Sequence, residues 1–259
     1  MAIKIDSLQN EKVKNIVKLR GSAGARKRQG LFAIEGRREI DLALAGGVEI
    51  ENLFYCLDYA KQKPAIAEEK TVEVSKNIFS KISLRENPDG LLAVARIKEL
   101  QLENIKLRAK PLLIILEAVE KPGNLGAILR TADAAGADAV IINDAKVDIY
   151  NPNVIRASQG TVFTVPVALS SVDETINFCK NSKIKIFVTT PDAKMEYIKV
   201  DYTSACAMVF GAEDIGLSKK WLEAADEKVK INMRGKIDSL NVSVSAAVVL
   251  FEAVRQRGK

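Results

Sequence analysis

Histidine is absent from all 259 residues of the chain. That absence excludes Ser-His-Asp and Cys-His nucleophile systems and every zinc site that needs imidazole. No metal site is expected, and any catalysis rests on carboxylates, Lys, Arg, hydroxyls, amides or a bound cofactor. Cysteine is scarce: Cys56, Cys179 and Cys206 are odd in number and far apart. They sit in apolar stretches, as buried, reduced thiols of a cytoplasmic protein would. No apolar run approaches the roughly 18 residues that span a bilayer. The opening "MAIKIDSLQNEKVK" has no apolar segment of the kind a secretory signal needs. A soluble protein of the cytoplasm, with no membrane partner, is the expectation.

What is present is a strongly uneven charge. The chain carries a net +6, but residues 1 to 38 hold ten Lys or Arg against three acids. That segment is +7 and the remaining 221 residues sum to −1. A basic end on a near-neutral body is the footprint of phosphate binding, although a solvated lysine-rich face has the same composition. The cluster "ARKRQG" reads as a glycine-bounded loop presented to a partner.

Periodicity divides the chain in two. Residues 1–104 alternate short elements: a helix in "SLQNEKVKNIVKL", strands at "LFAIE", "NLFYCL", "TVEVS" and "GLLAVAR", and helices at "RREIDLALAGG" and "NIFSKIS". They predict a small three-layer α/β unit. The charged stretch "IKELQLENIKLRAK" serves as linker. Residues 105–259 repeat the βα rhythm, with strands predicted at 112–117, 138–142, 162–168, 184–189, 205–210 and 229–233. Helices are predicted near 124–135, 151–159, 171–181, 217–226 and 240–256. Strands apolar throughout, such as "LLIIL" and "CAMVF", predict a parallel sheet covered on both faces. The last helix is apolar on two faces, with Leu240, Val244, Ala247 and Phe251 on one of them. It is either buried within its own domain or packed on a second copy of the chain.

Three polar clusters follow strands, where ligands gather in open α/β sheets. They are "EKPGNLGAILR", "GAEDIGLS" and "NMRGKIDSLN". The glycines of the first are spaced G-x-x-G and do not form the dinucleotide fingerprint G-x-G-x-x-G. Asn124 is placed to cap the helix, and Gly126 lies one turn before Arg130 on the same face. Arg130 carries a fixed fork of donors suited to a phosphate or an oxyanion; pairing with Glu213 in a buried bridge is the alternative.

In order and spacing the three clusters resemble the motifs of the SpoU (or TrmH) family of RNA 2'-O-ribose methyltransferases, in the knotted SPOUT superfamily. Asn124, Gly126, Arg130, Thr131 and Gly136 match the first motif; Gly211, Glu213 and Gly216 the second; Ile231, Met233, Gly235 and the run from Ser239 the third. The stretch "GLFAIEGRREIDLAL" is similar to the small RNA-binding domain that often precedes this catalytic domain. One departure is Asn232, where the family usually has proline.

The resemblance implies a C-terminal α/β domain with a deep trefoil knot behind an N-terminal α/β substrate-binding domain. It implies S-adenosylmethionine as cofactor, contacted at Gly211, Ile231, Met233 and Leu240. Catalysis falls to Arg130, with Asn124, Glu213, Ser239 and Asn241 orienting it and the ribose; a plain helix cap is the other reading of Ser239. Arginine is a poor proton acceptor, so stabilising a developing alkoxide suits Arg130 better than acting as base. Arg26, Lys27, Arg28, Arg37 and Arg38 would hold the RNA backbone. With aromatics at only 5% of residues, phosphate and shape contacts would outweigh base stacking. The family works as a homodimer, and ribosomal RNA is favoured over transfer RNA as substrate. A transfer-RNA methyltransferase or a non-catalytic ribosome-assembly protein on the same fold are the alternatives. A nicotinamide or flavin enzyme is disfavoured by the missing fingerprint and the basic N-terminal domain.

Overall fold

The computed structural model describes residues 3–62 and 65–258. In chain order the elements are β1 (Ile3–Ile5), α1 (Glu11–Gly21), α2 (Ala23–Gln29), β2 (Leu31–Glu35), α3 (Arg37–Ala45), β3 (Ile50–Tyr55), β4 (Thr71–Val74), α4 (Lys76–Ile82) and β5 (Leu91–Arg96). There follow β6 (Leu112–Glu117), α5 (Pro122–Ala135), β7 (Ala139–Asn143), α6 (Pro152–Ala157), β8 (Val167–Ser170), α7 (Val172–Asn181) and β9 (Lys185–Thr189). The chain closes with β10 (Met195–Glu196), β11 (Cys206–Phe210), α8 (Lys219–Ala224), β12 (Glu227–Lys230) and α9 (Val242–Gln256). Two compact units result. One holds residues up to 99 together with 148–164; the other holds 100–147 and the chain from 165 onward.

The first unit is a five-stranded sheet in the order β1-β4-β3-β5-β2, with β5 antiparallel to both neighbours. Alternation along the strands sorts the core. Ala33, Phe54, Val72 and Val94 face α1 and α4, whose Val13, Ile16, Leu19, Ile78 and Phe79 are buried against them. Phe32 and Ile34, out of phase with Ala33, are fully buried on the other side. There the ring of Phe32 lies 4.4 Å from that of Tyr150 and 5.7 Å from that of Phe163. The returning segment 148–164, which the sequence division gives to the second domain, therefore supplies core to the first unit. Its Tyr150 hydroxyl also donates to the Lys98 carbonyl at 3.1 Å.

The second unit is a seven-stranded sheet, parallel throughout, in the order β10-β12-β9-β11-β6-β7-β8. All six residues of β6 are buried, as a central strand covered on both faces requires. Leu113, Ile115, Ile141, Val188 and Val209 form one face, under Ile176 and Cys179 of α7 and Trp221 of α8. Helices α5 and α9 pack together on the sheet's other side. Cys56, Cys179 and Cys206 are buried and free. Burial pushes the Cys179 thiol up to about 12 and that of Cys206 to about 11.

Three local expectations are corrected. "ARKRQG" lies largely in α2, a helix capped by the Ser22 hydroxyl on Ala25 N–H and stopped by Gly30 at φ 63°. The predicted strand 162–168 shortens to β8, because 161–163 makes one helical turn and packs in the first unit. The strand predicted at 229–233 ends at Lys230, leaving Ile231 and Met233 to line a cavity.

The candidate active site

In the second unit, β6 leads through α5 to β7 on one side, while β11 and β9 lie on the other. The strand order reverses at β6/β11, and a crevice outside the carboxyl ends of the strands is expected there. The loops after β6 and β11 meet at that point. The first opens α5. Pro122 occupies the first turn, its fixed φ suited to a helix start, and Lys121 stands at the cap position. Asn124 thus lies inside the first turn and does not cap the helix, which frees its side chain for other partners.

Asn124 donates to Glu213 Oε1. Asn241 donates to the same carboxylate oxygen at 3.0 Å and to Asn124 Oδ1 at 3.2 Å. Lys121 Nζ is 2.6 Å from Glu213 Oε2. Asn241 also caps α9, its Oδ1 accepting from Ser243 N–H at 3.0 Å. The cap is therefore Asn241 and not Ser239, whose hydroxyl donates to Asp238 Oδ1 at 3.3 Å. The hydrogen bond from Lys121 to Glu213, then the charges of Glu213, Asp214 and Glu120, raise the Lys121 pKa.

The loop carrying Glu213 is tightly folded. Gly216 N–H donates to Ala212 C=O at 3.0 Å. A Cβ at Gly211 would lie 2.4 Å from the Gly216 carbonyl, so the turn has no room for a side chain there. Buried Glu117, at the end of β6, accepts from Ser218 N–H at 2.8 Å and anchors the loop's far end.

Arg130 is brought to none of these groups. It is exposed on α5, and its side chain makes no hydrogen bond or ion pair with another described residue. The buried Arg130–Glu213 bridge does not form, because Lys121 and the two asparagines occupy the carboxylate.

Beside the trio opens a cavity of about 700 Å³. Gly211, Ile231, Met233 and Leu240 all line it, as do Glu213, Ser239 and Asn241. The sequence reading missed Lys121, Thr189 and Asp192 in this wall; Lys121 adjoins the first motif, but Thr189 ends β9 and Asp192 lies in the turn after it, neither with a marked signal. The wall suits S-adenosylmethionine, a cation with a flat apolar base. Phe210, Ile231 and Met233 offer apolar surface, while Glu213, Asp192, Asp214 and Asp238 outnumber Lys121. A buried hydroxyl oxygen in that wall, Thr189 Oγ1, has no partner among the described residues. Asn232, the departure from the family's proline, hydrogen-bonds the Glu196 carboxylate. The segment that carries Ile231 and Met233 is thus fastened to β10 by a side chain.

The SpoU rRNA Methylase family matches residues 111–251, more than half of the chain. The chain belongs to the SpoU rRNA methylase family. Residues 10–93 match the MRM3-like substrate binding domain. The 23S rRNA (guanosine(2553)-2'-O)-methyltransferase RlmP of Bacillus subtilis (strain 168) is 30% identical over 252 residues, covering 95% of this chain and 97% of that protein. Among solved structures, an RNA 2'-O ribose methyltransferase superposes with TM-score 0.86 at 40% identity, covering 99% of this chain and 100% of the other. An AdoMet-bound rRNA methyltransferase from Sinorhizobium meliloti does so with TM-score 0.89 at 29% identity, covering 98% of each. The second unit of this SpoU protein has the SPOUT-type α/β fold, to which the trefoil knot belongs.

The basic residues of the first unit divide. Arg26 points inward: it is 3% exposed, its Nε lies 2.5 Å from Asp148 Oδ2 and its Nη1 donates to Leu19 C=O at 2.6 Å. Lys27 and Arg28 are exposed on α2. Arg38 is exposed and donates to Gln159 Oε1 at 2.5 Å. Arg37 is half-buried and pairs with Asp41 at 2.7 Å. Among the described residues no helix is long and apolar enough to cross a membrane, and no group of three or more acidic or cysteine side chains could hold a metal.

Proposed function

We propose that this protein methylates a ribose 2'-hydroxyl in ribosomal RNA, using S-adenosylmethionine bound in the cavity of the second unit. The observation that carries the reading is the meeting of Asn124, Glu213 and Asn241, from three distant motifs, at the edge of a cavity with an apolar and acidic wall. S-Adenosylmethionine supplies a methyl group on a cationic sulfonium, a leaving group that needs no protonation. Gly211, Ile231, Met233 and Leu240 hold it, largely through backbone and apolar contact, and the carboxylates of the wall favour its charge. The 23S rRNA specificity in the name of the Bacillus relative supports ribosomal RNA as substrate.

On the substrate side, Glu213 and the two asparagines form a fixed polar frame that orients the ribose, with Ser239 beside it. Both carboxylate oxygens of Glu213 are engaged, which suits orientation better than proton abstraction. Arg130, unpaired among the described residues, holds an RNA phosphate and stabilises the negative charge that grows on the attacking oxygen as its proton passes to water. Lys27, Arg28, Arg37 and Arg38 bind the RNA backbone.

The working form is a homodimer in the cytoplasm. Val244 and Phe251 lie two turns apart on α9 and are 46% and 47% exposed, an apolar surface suited to a second copy. The test is transfer of label from tritiated S-adenosylmethionine to purified ribosomal and transfer RNA, beside Arg130→Ala. Label in the ribose of ribosomal RNA, lost in the variant, is the expected result. Label in transfer RNA alone, or no binding of cofactor, overturns it.

A further inference from the structure

Lys121 stands at the cap position of α5, its carbonyl accepting from the N–H groups of Asn124 at 3.0 Å and Leu125 at 3.1 Å. The helix start therefore fixes the backbone of Lys121 beside that of Asn124. Its side chain is 69% exposed and its Nζ reaches Glu213 Oε2 at 2.6 Å. An ion pair so open to water contributes little to stability. What it supplies is geometry. Asn124 and Asn241 both donate to Glu213 Oε1, and bonds to one oxygen leave a carboxylate free to pivot about that oxygen. Lys121, on the other oxygen, removes that freedom. Charge adds a second consequence, since a carboxylate without a partner in this wall would be drawn to a cationic sulfonium. Pairing with Lys121 keeps Glu213 in the frame.

We propose that Lys121 is a positioning residue for methyl transfer, acting through Glu213 by fixing the carboxylate on which Asn124 and Asn241 are aligned. The inference rests on the methyltransferase reading above. Two other roles are open to a lysine here, and its surroundings decide against both. One is to take the proton of the ribose hydroxyl. The hydrogen bond to Glu213, then the charges of Glu213, Asp214 and Glu120, raise the Lys121 pKa, so it keeps its own proton. The other is to hold an RNA phosphate, as Arg130 does. Lys121 would have to leave Glu213 for that, whereas Arg130 has no partner among the described residues to leave.

A double-mutant cycle on the full chain tests this, read by transfer of label to ribosomal RNA and by titration with S-adenosylhomocysteine. Lys121→Met keeps the aliphatic stem and removes the charge; Lys121→Arg keeps a cation within reach of the carboxylate. The expected result in Lys121→Met is a roughly tenfold fall in kcat, the mark of a loosened reacting geometry. Its KM for RNA and its affinity for S-adenosylhomocysteine should stay within about twofold of wild type, and its melting temperature should not move. Lys121→Arg should recover kcat to within about threefold of wild type. In a Glu213→Gln background, Lys121→Met should cost nothing further, because a group acting through Glu213 has lost its target. A further loss in that background, or a loss confined to KM, would show Lys121 meeting the RNA directly and overturn the proposal. Unchanged kcat in Lys121→Met, no recovery in Lys121→Arg, or a lowered melting temperature would overturn it too. Failure of the wild-type protein to label RNA would instead sink the methyltransferase reading itself, and this one with it.

Discussion

Lys121 Nζ lies 2.6 Å from Glu213 Oε2, so the turn that opens α5 is tied to the loop that follows β11. With Asn124 and Asn241 on the other oxygen, the carboxylate is the hub of a frame that no single motif could build.

Glu213→Gln tests that hub. The amide keeps the shape, removes the ion pair and sets an NH₂ group against the asparagine donors. We expect kcat to fall on the order of 100-fold, the scale of a misplaced reacting group, with cofactor affinity within a few-fold of wild type. Steady-state kinetics beside titration calorimetry separate the two. A loss of affinity as large as the loss of kcat would place Glu213 in cofactor binding instead.

The buried and the exposed basic residues of α2 predict opposite phenotypes. Lys27→Ala with Arg28→Ala should leave the melting temperature unchanged, weaken RNA binding across sequences, and flatten the dependence of log affinity on log salt by about 1.5. Arg26→Ala should instead cost about 3 kcal/mol of stability, because Asp148 is left without its buried partner. Thermal melts and filter binding at several salt concentrations distinguish them. Equal effects of both changes on RNA binding, with no change in melting, would refute the division.

Asp138 predicts the acid limb of stability. Burial raises its pKa, but hydrogen bonds from Arg108 at 2.5 Å and from Leu112 N–H at 2.7 Å, with the Arg108 charge, outweigh it and leave the carboxyl below its ordinary value. A lowered folded pKa gives stability that is present above the unfolded value, about 3.9, and is lost as pH falls through the folded one. Asp138→Asn should therefore melt several degrees lower at pH 7. The gap to wild type should narrow below about pH 4. A gap independent of pH would show that shape, and not charge, sets the effect.

The first unit should not fold as residues 1–104 alone. Phe32 is fully buried under Tyr150 and Phe163, which that fragment lacks. Calorimetry of the fragment should show no sharp transition, and the dye ANS should bind to its exposed apolar face. A cooperative transition without dye binding would contradict this.

Much of the fold was legible because it is local. β6 and β11 are runs too apolar for anything but a strand covered on both sides, and their predicted bounds differ from the observed ones by at most one residue. The motif residues Gly211, Ile231, Met233 and Leu240 were readable as a set, and they line one cavity. The strands β1 and β10 were not legible: three and two residues long, they exist by pairing with β4 and β12 and carry no period of their own. Lys121 was passed over because nothing near it in the chain marks Glu213 as its partner.

By itself the sequence determined the types of element, their order and the chemistry on offer. Lack of histidine confines that chemistry to carboxylates, amides, hydroxyls, Lys and Arg, and periodicity reports which side of each element is dry. Only the tertiary structure decided that Asn124, Glu213 and Asn241 converge, that Arg130 stays outside their frame, and that Arg26 turns inward to Asp148. Those outcomes depend on strand order and on a segment returning from more than a hundred residues away. A pattern with a period of two or 3.6 residues describes an element's surroundings, not the identity of its neighbours.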